Sequence, residues 1–139
     1  MHSILVRDYM NHQPKFVTED TNVRKAVELL LKYGVIGMPV VDDQQKLVGY
    51  LSEQDCVEEI LNDAFFCEEP GKVKDVMQHH VISVTPGTTI VDLARTIIHS
   101  RPKNYPVIDS GKLVGLISRT DVLRALVEND DDCYIHLKA

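Results

Sequence analysis

Apolar residues recur at helical spacing in two separate stretches of the chain. Val23, Ala26, Val27, Leu30 and Leu31 form the first set, and Ile90, Leu93, Ala94, Ile97 and Ile98 the second. Each set predicts an amphipathic helix, with Thr21 and Thr88 standing where an N-cap is expected. A short extended piece precedes each helix, Lys15–Thr18 or Ile82–Thr85, ended by the turn-prone Glu19-Asp20 or Pro86-Gly87. After each helix a strand follows a proline, Pro39 or Pro106, and a turn follows the strand (Asp43-Gln44-Gln45 or Ser110-Gly111). The continuous apolar runs Leu47–Leu51 and Leu113–Ile117 then predict strands covered on both faces or buried against a partner, each leading into a second helix. Each half therefore reads β-α-β-β-α, an α+β arrangement built from α/β-type repeats.

The two halves share residues as well as rhythm. A shift of 67 lays Val6-Arg7-Asp8-Tyr9-Met10 on Val73-Lys74-Asp75-Val76-Met77 and gives ten identities over the 37 positions from Val6 to Asp42. A shift of 66 then lays Lys46-Leu47-Val48-Gly49 on Lys112-Leu113-Val114-Gly115, with Ser52 on Ser118 and Asp55 on Asp121, six identities in ten. Hydrophobic periodicity does not require identical Pro, Gly, Ser and Asp, so the pattern is an internal duplication. The expected division is residues 1–61 for the first repeat, 62–72 for a linker, 73–127 for the second repeat and 128–139 for an acidic C-terminal tail. One half of this size buries too little to be robust alone. The halves are therefore expected to pack on each other about a pseudo-twofold axis. In the linker, Phe65-Phe66 reads as an apolar anchor and Glu68-Glu69-Pro70-Gly71 as a polar exit.

Composition narrows the function classes. The 139 residues are 44% hydrophobic and 26% charged, with no Trp and a net charge of −6, which is ordinary for a soluble globular protein. Without a segment of clustered Lys and Arg, a nucleic-acid footprint is not expected. No apolar run approaches a membrane span, and a charge interrupts the N-terminus early, so a cytoplasmic location is expected. Cys56, Cys67 and Cys133 are odd in number and irregularly spaced, which suits reduced thiols better than disulfides or a zinc knuckle.

Each repeat carries the same short motif: Gly49-Tyr50-Leu51-Ser52-Glu53-Gln54-Asp55 and Gly115-Leu116-Ile117-Ser118-Arg119-Thr120-Asp121. A strand ends at a serine that begins a helix. Such a serine caps the helix, and free backbone N–H groups there, with the helix dipole, make an anion site that fits a phosphate. The aspartate one turn along could accept both hydroxyls of a ribose. Ser-x-x-Asp before an apolar helix is equally an ordinary capping pattern that needs no ligand.

With its leading Asp-x-Met, its Pro-Val-Val-Asp or Pro-Val-Ile-Asp strand and this Gly-h-h-Ser-x-x-Asp motif (h, hydrophobic), the chain resembles the CBS domain family. The tandem arrangement resembles a Bateman module, over roughly Val6 to Val127. The resemblance implies disc-like homodimers that bind adenosyl ligands (AMP, ADP, ATP, sometimes S-adenosylmethionine or a dinucleotide) in clefts between the repeats, with the motif aspartate on the ribose. It also implies an adenine near Ser83 and Asn104-Tyr105-Pro106 in the second half. Arg101, Lys103 and Arg119 bring positive charge to where the family places phosphates, beside Ser118 and Asp121. In the first half the matching residues are Phe16, Gly37-Met38-Pro39, Ser52 and Asp55, with Glu53 in place of Arg119. A carboxylate there repels a phosphate, so the first-half site is expected to be the weaker.

Other candidates carry less. His79-His80 lack partners at ligand spacing, so no metal is expected. His12 occupies the position equivalent to His79, which suggests a role in the repeat's fold. Tyr33 reads as a packing residue. No Gly-x-Ser-x-Gly, P-loop or nucleophile constellation appears, so no catalysis is expected and no cofactor is required. The sequence points to a regulatory module that senses an adenine nucleotide (AMP, ADP or ATP) and signals by conformational change to a regulated protein. The alternative is a ligand-free dimerisation and docking module.

Overall fold

The computed structural model describes residues 3–66 and 71–130, side chains 65 and 66 apart. In the first repeat, α1 is Val6–Tyr9, β1 Val17–Thr18, α2 Val23–Tyr33, β2 Gly37–Val41, β3 Leu47–Ser52 and α3 Glu53–Phe66. In the second, α4 is Val73–Val76, α5 Ile90–Ile98, β4 Asn104–Asp109, β5 Lys112–Ser118 and α6 Arg119–Glu128. The expected α+β order is present, with two adjustments. Only Val17–Thr18 of the first extended piece is a strand, parallel to β2, and in Ile82–Thr85 the strand shrinks to a single parallel bridge, Val84 to Val107. Helix α3 also runs on to Phe66, into the segment read as a linker. The expected Phe65-Phe66 anchor, Cys67, the polar exit except its Gly71, and most of the acidic tail lie outside the described side chains.

The long helices start one residue later than the sequence suggests. Asn22 caps α2 by accepting the Arg24 N–H at 2.8 Å, and Thr89 caps α5 by accepting the Asp92 N–H at 3.1 Å. The threonines expected as caps close the preceding turn instead. The hydroxyl of Thr21 meets that of Thr18 at 2.7 Å, and Thr88 Oγ1 accepts the Thr85 N–H at 3.2 Å. Both residue types can satisfy a turn or a helix start, so local composition does not separate the two positions.

Backbone packing exchanges the leading turns of the two repeats. Among the described residues, one compact unit comprises 3–14, 82–110 and 114–130; the other comprises 15–66, 71–81 and 111–113. In the first unit, Val6 N donates to Thr88 O at 2.8 Å and Arg7 N to Pro86 O at 3.1 Å, while Asn11 and Leu116 exchange backbone bonds. The second unit repeats this at equivalent residues. Val73 N donates to Thr21 O at 2.8 Å, Lys74 N to Glu19 O at 2.9 Å, and Gln78 pairs with Tyr50. Thus α1 packs with the elements of the second repeat and α4 with those of the first.

The motif glycines make this exchange possible. A Cβ placed on Gly49 would lie 2.6 Å from Met77 Sδ and 2.7 Å from the Gln78 carbonyl oxygen. One on Gly115 would lie 2.7 Å from Met10 Sδ and 3.0 Å from the Asn11 carbonyl oxygen. The glycine of each Gly-h-h-Ser and the methionine of the other repeat's Asp-x-Met are therefore one packing unit, in which only a missing side chain admits the neighbouring backbone.

Each unit has its own apolar core. Val17, Val23, Ala26, Leu30, Met38, Val40, Leu51, Cys56, Val73 and Met77 form one. Val6, Ile90, Leu93, Tyr105, Val107, Ile117, Val122 and Ala125 form the other. The apolar runs in β3 and β5 alternate between buried and half-buried positions, so their cover is uneven on the two faces. Leu31 and Ile98, expected on the buried helix faces, are 77% and 73% exposed. Burial of Cys56 and, next, the charge of Asp55 push its thiol up to about 11. At pH 8 that leaves about one thiolate in a thousand, so Cys56 should resist iodoacetamide in the folded protein and react on unfolding, as mass spectrometry would read.

Candidate functional site

Strand β5 delivers Ser118 to the start of α6, where it closes a complete capping box. Ser118 Oγ accepts the Asp121 N–H at 3.0 Å, and Asp121 Oδ2 accepts the Ser118 N–H at 2.9 Å. The Arg119 N–H donates to Lys103 O at 3.0 Å. Three N–H groups at this helix start are therefore already satisfied, so the expected anion site on free N–H groups is, without ligand, a closed cap. Equivalent bonds recur in the first repeat. Ser52 Oγ accepts from Asp55 N at 3.2 Å, Asp55 Oδ2 from Ser52 N at 3.1 Å, and Glu53 N donates to Ile36 O at 2.8 Å.

What surrounds the two caps differs. The Arg119 guanidinium, expected to face a phosphate, is committed to backbone. Its Nε donates to Pro102 O at 2.9 Å, and Nη2 to Arg101 O at 2.8 Å and Ser100 O at 3.2 Å. Arg119 thus ties the 100–103 loop to the start of α6. The loop's own cations, Arg101 and Lys103, are exposed and make no ion pair among the described residues. Asn104 and Ser83 are half-buried, and Pro106 is buried. Tyr105 is fully buried, with its hydroxyl 2.8 Å from Ser100 Oγ, so only its backbone can serve a ligand.

Two residues absent from the sequence reading complete this neighbourhood. Arg124 Nη2 donates to Asp121 Oδ1 at 2.9 Å, and its guanidinium lies 5.9 Å from the centre of the Tyr9 ring. The Tyr9 hydroxyl donates to Glu128 Oε2 at 2.6 Å and accepts from Asn129 Nδ2 at 3.1 Å. The carboxylate of Glu128 raises the Tyr9 pKa, since ionisation would break that bond and set two negative charges together. Arg124 was legible as the i+3 neighbour of Asp121 on a helix. Tyr9 was not, because it precedes Asp121 by more than a hundred residues.

In the first repeat Glu53 and Glu58 stand where the second has Arg119 and Arg124. Asp55 Oδ2 also accepts from Gln78 Nε2 at 3.3 Å. Gly37, Met38 and Pro39 are buried in β2, and Phe16 is partly exposed just before β1. Tyr33 packs against the core with Lys15 Nζ 4.7 Å from its ring centre. His12 bonds to the Arg7 carbonyl oxygen at 3.0 Å, within its own leading turn.

Fold and motif together define a tandem-repeat module of the β-α-β-β-α kind, with one capped strand-to-helix junction per repeat. The family model of the CBS domain matches residues 6–62 and 73–128, and the chain belongs to the CBS domain family. It is similar to two uncharacterized proteins of Methanocaldococcus jannaschii. MJ1225 is 31% identical, over 87% of this chain and 42% of that protein; MJ1426 is 31% identical, over 89% and 92%. The chain therefore spans less than half of MJ1225. Among solved structures it is similar to CBSX2 in complex with AMP, at 30% identity and TM-score 0.79, covering 91% of this chain and 98% of that one. CBSX2 comes from Arabidopsis thaliana. No helix among the described residues is long and apolar enough to cross a membrane.

Proposed function

We propose that the chain is a regulatory module that binds an adenine nucleotide at its second-repeat motif and passes the change to a partner protein. The observation that carries this is the arrangement around Asp121: a carboxylate at the start of α6, beside a loop that presents Arg101 and Lys103 and is held to that helix by Arg119. Asp121 would accept the ribose hydroxyls, Arg101 and Lys103 would meet the phosphate, and the backbone at Asn104-Tyr105 with Ser83 would meet the base. The AMP held by CBSX2 supports an adenosine ligand. Binding would shift the populations of two conformations, and a partner with different affinity for the two would read the shift. The deciding experiment is calorimetric titration of nucleotide-free protein with AMP, ADP, ATP and S-adenosylmethionine, with and without magnesium. Micromolar binding near one ligand per chain is expected; no heat and no thermal stabilisation would overturn the reading.

The second reading, a docking module that needs no ligand, is favoured by the two capping boxes, which are complete as they stand. Flat titrations would establish it.

The same reading includes a homodimer. Six apolar side chains from 62% to 77% exposed fall at three pairs of repeat-equivalent positions: Leu31 and Ile98, Val57 and Leu123, Leu61 and Val127. Uncovered, they would cost solubility at both helix pairs, and a second copy offers the same two faces in return. Leu61→Glu with Leu123→Glu should convert a sedimenting dimer to monomer without loss of helical circular dichroism. A wild-type monomer at tens of micromolar would remove the dimer from the proposal.

A further inference from the structure

We propose that Tyr50 closes the first-repeat counterpart of the nucleotide site, so that the chain takes one adenine nucleotide and not two. The proposal deepens the functional reading above and rests on it.

In the β2–β3 register Gly37 stands opposite Ser52, and Pro39 opposite Tyr50. Side chains alternate along a strand, so Tyr50 and Ser52 share one face of β3 while Leu51 turns into the core with Met38 and Val40. The Tyr50 phenol then leans across the pair of strands. A Cβ placed on Gly37 would lie 2.7 Å from its Cε1 and 2.8 Å from its hydroxyl oxygen. The ring therefore fills the space in front of the Gly37 backbone, beside the serine that begins α3. A purine seeking the backbone before Pro39 would need that same volume, and two rings cannot share it.

The second repeat inverts the pair. Asn104 stands for Gly37 and Leu116 for Tyr50. Leucine ends one carbon beyond Cγ and cannot reach over the neighbouring strand as a phenol does. Gly37 in turn fits its tyrosine, since any side chain there would collide with the ring. The cap is not what separates the sites, because Ser52 and Asp55 make the same two bonds as Ser118 and Asp121. Glu53 and Glu58 oppose a phosphate in the first repeat, but they would not oppose an uncharged nucleoside. Tyr50 opposes both, which makes the two effects separable.

The test titrates adenosine, which carries no phosphate, and AMP into the wild type, Asp121→Asn, Tyr50→Leu and the double variant, with a thermal melt of each. The wild type should bind one ligand per chain and Asp121→Asn should lose at least about tenfold in affinity. The double variant should regain one adenosine per chain and bind AMP more weakly than adenosine. Should Tyr50→Leu melt well below the wild type, Tyr50→Ala serves as the second opener. Two ligands per wild-type chain, adenosine binding to Asp121→Asn as tight as to the wild type, or no gain in folded opened variants would overturn the proposal. A wild type that binds nothing, beside a Tyr50→Leu that gains one adenosine, would sink the second-repeat site and keep the plug.

Discussion

Gly49→Ala should cost about 2–3 kcal/mol of unfolding free energy, and Gly115→Ala about 1–2 kcal/mol, as overpacked positions do. Propensity alone gives the opposite sign, since alanine in a strand is favoured over glycine by about 0.5–1 kcal/mol. Sterics decide it. At Gly49 the new methyl would meet Met77 Sδ at 2.6 Å and the Gln78 carbonyl oxygen at 2.7 Å. The sulfur can swing aside, but the carbonyl is fixed by the paired backbone bonds between Gln78 and Tyr50, each 2.9 Å. At Gly115 the backbone contact, Asn11 O, is looser at 3.0 Å, hence the smaller effect. Urea unfolding measures both. Met77→Ala added to Gly49→Ala should recover only part of the loss, because the backbone collision remains. Full stability in both alanine variants would show that the leading turns do not press on these strands.

This packing also shows how far the sequence could be read. The repeat, the element order and the strand-to-helix motif followed from spacing and identity, because periodicity of 3.6 and 2 is written into the positions of Leu, Ile and Val. The exchange of leading turns was not legible. Val6 and Val73 look alike, and no local property says which repeat each will join. The clue was present in the motif glycines, whose bareness requires a close neighbour, but a glycine does not name that neighbour. Likewise Leu31 and Ile98 extend the apolar stripe of their helices, and only coordinates show that the stripe is wider than the core beneath it.

At the candidate site the capping geometry was legible and the fate of the charges was not. Arg119, Arg101 and Lys103 all count as positive in a sequence. In the structure Arg119 holds three loop carbonyls while the other two remain exposed. The guanidinium's fixed fork suits such multiple backbone bonds, so its charge is spent on setting the loop's position. The Tyr50–Gly37 pairing was equally hidden, since it needs the register of two strands.

Asp121→Asn separates the cap from the ligand. Asparagine keeps one side-chain oxygen, which can still accept the Ser118 N–H that Asp121 Oδ2 now accepts at 2.9 Å. The helix start should survive at a cost of about 1 kcal/mol, within the range for an altered cap. Loss of the partly exposed Asp121–Arg124 ion pair adds little, because such pairs are worth about 0–1 kcal/mol in water. For a ribose the change is larger. The second oxygen becomes an NH2 that donates, so a diol meets a donor where it needs an acceptor, and the carboxylate's charge-assisted bonds are lost. At about 1.5–3 kcal/mol for hydrogen bonds to a charged group, affinity for AMP should fall roughly 10- to 100-fold. Calorimetry against a urea melt of the same protein reads the two quantities independently. A stable variant with lost affinity places the ribose on Asp121. A stable variant with wild-type affinity would make Asp121 a capping residue and nothing more, and would put the nucleotide on other residues of the chain.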